Sequence, residues 1–175
     1  MVPDTTLRLK AVLKALDEVI EPVIPEDAAL AREQLALARK SIALVIKQIP
    51  LELAYMIRDV REDMALARQI LPRLGPEDPL SVRLEASIAD AEAALPAAPP
   101  DADAFKATWL QMKQALQDAV DNLFAEAPDE LWASLGRAVI EYSERRNLRE
   151  RAWVAATGFD PEPGKLPSLR EAALG

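Results

Sequence analysis

Apolar residues recur every three or four positions along the chain: Ala28, Ala31, Leu35, Ala38, Ile42, Val45 and Ile49, then, past Pro50, Leu53, Ile57, Val60, Met64, Ala67, Leu71 and Leu74. That spacing returns to one face of an α-helix at every turn, so it predicts helices on both sides of Pro50. Leu30, Leu37 and Leu44 add a second apolar stripe, which predicts that helix two sits at the centre of a bundle or at a subunit contact. Pro50 removes one backbone donor and biases Ile49 away from helical angles, which favours two antiparallel helices over one kinked helix. Turn residues are missing there and the apolar phase nearly continues, so the kinked helix stays open as the other solution.

The same reasoning extends to both ends. A first helix starts at Asp4 or Thr5 with Leu9, Val12, Leu16, Val19 and Val23 inward, and Pro22 and Pro25 flank its end. Helix three stops near Leu71 and Pro72. Asp78-Pro79 then makes a cap and first turn for a fourth helix with Leu80, Leu84, Ile88, Ala91 and Leu95 inward. Pro96-Ala97-Ala98-Pro99-Pro100 reads as a stiff connection. Asp101 or Asp103 caps helix five, which turns Phe105, Trp109, Met112, Leu116, Ala119 and Leu123 inward. Helix six opens after Pro128 with Asp129 and Glu130, carries Leu131, Leu135, Val139 and Tyr142 inward, and ends at Gly158, where Phe159 is placed to cover a left-handed cap. The expected architecture is a single all-α, up-down bundle of about six helices over residues 1–159. A proline-containing tail, 160–175, ends in a short helix from Ser168 to Ala173.

Composition narrows the chemistry. The chain has 175 residues, 50% hydrophobic but only 5% aromatic, and its apolar mass of Ala and Leu suits helices. A net charge of -8 repels phosphate backbones and anionic lipid, so neither nucleic acid nor a membrane surface is the expected partner. Met1 to Lys10 lacks a basic-then-apolar leader and no run approaches eighteen apolar residues, which makes the cytoplasm the expected location. The chain has no histidine and no cysteine, which excludes an imidazole base, a thiolate nucleophile and His- or Cys-ligated metal from its own side chains. Five scattered glycines form no phosphate-cradling loop. No catalytic residue, metal site or cofactor is assigned.

Two clusters carry charge. Asp59, Glu62 and Asp63 lie among Arg58, Arg61 and Arg68 on helix three, which predicts an ion-paired outer face. On helix six the apolar rhythm fails after Tyr142, and Arg146 and Arg149 fall on positions that should face the core. The run from Ser143 to Arg151 is expected to be a solvated face of paired charges. In a polar cleft, however, Arg145, Arg146 and Arg149 would hold an anionic head, with Tyr142 and Trp109 lining the apolar part.

The stretch Leu13 to Val19, the break Glu21-Pro22-Val23-Ile24-Pro25 and the helix from Ala28 through Leu30, Ala31 and Arg32 to Leu44 resemble a class of small bacterial all-helical proteins of unknown function, encoded near phosphotransferase-like and acyl-CoA dehydrogenase-like enzymes. The resemblance spans less than half of the chain and brings no catalytic residue with it. It implies an accessory role near lipid or acyl-thioester metabolism. The leading expectation is a non-catalytic interaction bundle with a protein partner or a second copy of itself. The alternative is a bundle that binds an anionic or acyl small molecule.

Overall fold

A computed structural model describes residues 4–95, 102–125 and 129–175, and the fold is all-α. The Pro96-Ala97-Ala98-Pro99-Pro100 connection, the Asp101 cap and the step at Pro128 lie outside those residues. In order come α1 (Thr5–Ala15), a π turn (Leu16–Ile20), a 3-10 turn (Glu21–Val23), α2 (Ala29–Gln48) and α3 (Glu52–Ile70). Then follow α4 (Pro79–Ala94), α5 (Ala102–Ala125), α6 (Asp129–Leu131), a second π turn (Trp132–Gly136), α7 (Arg137–Val154) and α8 (Leu169–Leu174). Two compact units form, one from Met1–Glu52 and Leu148–Ala172, the other from Leu53–Asn147 and Ala173–Gly175.

Within the second unit, α3 carries the core. Val60, Met64 and Ala67 are buried as their rhythm predicts, and Ile70 is buried where the rhythm pointed to Leu71, which is half-buried; these residues meet Leu84, Ile88 and Ala91 of α4 and Phe105, Met112, Leu116 and Ala119 of α5. Full burial of a side chain such as Ile70 or Leu84 contributes about 1.5–3 kcal/mol. The α4 start matches its expected cap: Asp78 accepts from the Leu80 N–H at 2.8 Å, with Pro79 in the first turn. Arg68 pairs with Glu92 across α3 and α4 at 2.5 Å, and Arg83 of α4 pairs with Asp118 of α5. Leu135 and Tyr142 close the same core from the second π turn and the first part of α7.

The first unit departs further from its pattern. Only Leu35 and Leu44 of α2 are buried, so α2 is not the central helix that its two stripes suggested. Ala31, Ala38, Val45 and Leu30 stand exposed, while Ala28, Ile42, Ile49 and Leu37 are half-buried. Two apolar edges were available on this helix, and the side with the larger aliphatic groups removes more area from water. Against it, α1 turns Leu9, Leu13 and Leu16, and Arg39 of α2 holds Asp17 at 2.6 Å and Glu21 at 2.7 Å. Val12, Val19 and Val23, expected inward, are exposed. Val12 falls outside because the inward edge of α1 runs through Leu9, Leu13 and Leu16, and Val19 and Val23 lie in and after the π turn, whose Glu21 N–H reaches back to the Leu16 carbonyl and shifts the later residues around the axis.

Pro50 lies in a three-residue break between α2 and α3. Ile49 keeps helical angles (φ -43°, ψ -51°) and its N–H still bonds the Val45 carbonyl at 3.0 Å, so the expected bias before proline is overridden. Gly158 does adopt the left-handed conformation (φ 88°) after a 3-10 turn, Ala155–Thr157. Phe159 does not cover it, being 78% exposed. Ser168 opens α8 as a reciprocal cap, accepting from the Glu171 N–H at 3.2 Å while Glu171 accepts from the Ser168 N–H at 2.8 Å.

Candidate functional site

Two carboxylates one turn apart on α3, Asp59 and Asp63, are both 0% exposed. Arg58 does pair with Glu62 at 2.9 Å, but the two aspartates expected on that outer face belong to the core. They fall inside because the buried side of α3 is two columns wide: Tyr55, Asp59 and Asp63 run beside Met56, Val60 and Met64.

Each carboxylate is met by the same device. On α5 the Trp109 indole Nε1 donates to Asp59 Oδ2 at 2.7 Å, and Lys113, one turn on, sits 3.9 Å from that oxygen and 5.1 Å from the Trp109 ring centre. On α7 the Tyr142 hydroxyl donates to Asp63 Oδ1 at 2.5 Å and accepts from Arg146 Nη1 at 2.7 Å; Arg146, one turn on, lies 5.8 Å from the Tyr142 ring centre. An aromatic donor followed four residues later by a cation thus ties both α5 and α7 to α3. Buried indole and phenol groups need acceptors, and a carboxylate satisfies each with a charge-assisted bond.

The residues proposed from sequence separate accordingly. Trp109, Tyr142 and Arg146 join the aspartate network of the second unit. Arg145 is exposed, and Arg149 is 2% exposed in the part of α7 that belongs to the first unit. The run from Ser143 to Arg151 is thus not solvated throughout. Tyr142, Ser143 and Arg146 border a crevice of about 90 Å³ with Gln117 of α5, well below the roughly 300–1,000 Å³ of a pocket that encloses a drug-sized ligand. Among the described residues no three Asp or Glu side chains gather as a metal-binding group.

Asp59 and Asp63 were missed because carboxylates beside arginines usually mark a wet face. The signal lay elsewhere in the chain. Trp109 and Tyr142 occupy inward positions, and their N–H and O–H groups had to find acceptors on another helix.

A second feature runs along α1 and the two turns that follow it. Leu7, Ala11, Ala15, Val19 and Val23 follow one another at four-residue intervals and all are exposed, with Leu7 at 56%, Val19 at 61% and Val23 at 72%. In a regular α-helix that spacing over-rotates by about 40° per step. Leu7, Ala11 and Ala15 belong to α1, Val19 to the π turn and Val23 to the 3-10 turn that follows.

No helix among the described residues is long and apolar enough to cross a membrane. Compared with known protein families, curated proteins and solved structures, the chain matches none.

Proposed function

We propose that this chain is a non-catalytic interaction protein of the cytoplasm that works by presenting the exposed apolar side chains of α1 and the two turns after it to another protein surface. The exposed stripe Leu7, Ala11, Ala15, Val19 and Val23 carries the proposal. Contiguous exposed apolar side chains rimmed by charge mark contact surfaces on soluble proteins. The buried polar groups support the same reading, because Trp109 bonds Asp59 and Tyr142 bonds Asp63, so that the two carboxylates tie α5 and α7 to α3. The test is a photo-cross-linking residue placed at Val19 in the cell, with one at exposed Glu85 of α4 as the control position. A protein adduct at 19 that is absent at 85 supports the proposal; equal or absent labelling at both refutes it.

The crevice beside Tyr142 and Arg146 favours one second reading, a site for a small anion held by a guanidinium and two polar side chains. Its volume argues against an acyl chain at that place. Inorganic phosphate would then raise the melting temperature, and an Arg146→Met variant would lose the increase.

A further inference from the structure

We infer that the depression along the second π turn and the start of α7 is a binding site for a free aromatic α-amino acid. Trp132, Ala133, Gly136, Arg137, Ile140 and Glu141 line it, all within the second unit, and its volume is about 500 Å³. That falls inside the roughly 300–1,000 Å³ of small-molecule sites. It shares no residue with the α1 stripe or with the crevice beside Arg146.

The indole of Trp132 is held in place by its neighbours. Gly136, four residues on, carries no side chain, and a Cβ there would come within 2.8 Å of Trp132 Cε3. Glycine weakens a helical segment, and at this position it lets the ring lie against the helix. Phe124 of α5 packs on the same ring, with centroids 4.4 Å apart and planes tilted by 51°. Trp132 nevertheless stays 45% exposed, and its Nε1–H donates to no described acceptor. The π turn that carries it is a rare geometry that recurs at functional sites.

Charge selects the ligand. Trp132, Gly136 and Ile140 follow one another at four-residue intervals, and Ala133, Arg137 and Glu141 form the column beside them. Arg137 and Glu141 are exposed and one turn apart, and neither is ion-paired with any described side chain, including the other. Residues at that spacing lie about 5–6 Å apart at Cβ. A ligand that is only an anion would face Glu141, and one that is only a cation would face Arg137, so each meets a like charge. A molecule with a carboxylate and an ammonium on one carbon gives both residues an opposite charge at once. Its side chain then runs along the apolar column, where an aromatic ring meets the indole of Trp132 and the exposed Ile140. A ligand of roughly a dozen heavy atoms on so open a surface binds weakly, with a Kd on the order of 1 mM.

Titration of L-phenylalanine into the isotope-labelled chain tests the site. Each of the three tryptophans gives one indole N–H signal in a nitrogen–proton correlation spectrum, and Trp132→Phe identifies the signal concerned. Over about 0.1–10 mM ligand, the Trp132 signal is expected to shift and saturate, while that of Trp109, bonded to Asp59, stays in place. Phenethylamine lacks the carboxylate and phenylpropionate lacks the amine, so each is expected to bind at least about fivefold more weakly. The charge variants should exchange these preferences. Glu141→Gln is expected to bind phenylpropionate more tightly than the unsubstituted chain does, Arg137→Gln to bind phenethylamine more tightly, and both to lose at least about fivefold in affinity for L-phenylalanine. Both residues are exposed, so the fold is retained in each variant. The absence of a saturable shift at Trp132 overturns the inference. Equal binding of the three ligands overturns it too, as does an order of preference that the charge variants leave unchanged.

Discussion

Replacing Tyr142 with phenylalanine removes one oxygen from the core and leaves the ring in place. In the native chain that hydroxyl donates to Asp63 at 2.5 Å and accepts from Arg146 at 2.7 Å, and Asp63 is fully buried. A hydrogen bond to a charged group contributes about 1.5–3 kcal/mol net, and a buried acceptor left with one donor fewer adds to the loss. Tyr142→Phe is therefore expected to destabilise the second unit by about 2–3 kcal/mol, or roughly 4–12 °C in melting temperature for a chain of this length. The assay is urea unfolding followed by Trp109 fluorescence in a Trp132→Phe/Trp153→Phe background, since Trp109 sits in the same network and Trp153 belongs to the other unit. A two-unit chain need not unfold in one step, so a local reporter is required. Coupling comes from a cycle with Asp63→Asn: the two losses should fall short of adding by at least about 1 kcal/mol, because either substitution disrupts the same bond. Additivity within about 0.5 kcal/mol would refute the claim that Tyr142 and Asp63 act together.

Trp109→Phe removes the indole donor to Asp59 at 2.7 Å and should cost about 1.5–3 kcal/mol by the same assay read through circular dichroism, with Lys113→Met on top adding less than its own single effect. Gly158→Ala forces a Cβ into φ 88° and should lower stability by about 1–2 kcal/mol, seen as a small drop in melting temperature, since the nearest neighbour is only the tip of Lys40 at 3.4 Å. Asp160 is held below the usual carboxylate range, first by Arg151 at 2.9 and 3.0 Å and then by the Glu162 N–H, so the folded state favours its charged form. Its contribution is present above about pH 4 and is lost as the pH falls through the lower folded-state value. Thermal melts from acid to neutral pH should show a shallower acid limb in Asp160→Asn.

The elements that were legible are those whose apolar residues are large and confined to one stripe. Leu84, Ile88 and Ala91 on α4, and Phe105, Met112, Leu116 and Ala119 on α5, point where their spacing says, because no second face competes for the core. On α2 two apolar edges competed, and the alanines at 31 and 38 had too little area to decide the outcome. On α1 the inward edge takes Leu9 and Leu13 and leaves Val12 out, and the π turn after it, a local widening that leaves no mark in a three-four count, changes the phase of Val19 and Val23. Trp109 and Tyr142 were picked out as pocket residues for their polar tips, and those tips do matter, but their partners are buried aspartates that charge patterning assigned to solvent. Patterning reads which residues dislike water. It does not read which polar groups have found each other inside.

The outward placement of Val19 and Val23 decides between that structure and the sequence rhythm that pointed them inward. Val19→Glu/Val23→Glu can be melted at low protein concentration and compared with the unsubstituted chain by circular dichroism. With both side chains in solvent, surface substitutions of this kind stay within about 0.5 kcal/mol each, so the melting temperature should shift by no more than about 4 °C with helicity unchanged. A loss of about 10 °C or more, as burial of two unpaired carboxylates would produce, would place α1's valines in a core and contradict the contact face on which the proposed function rests.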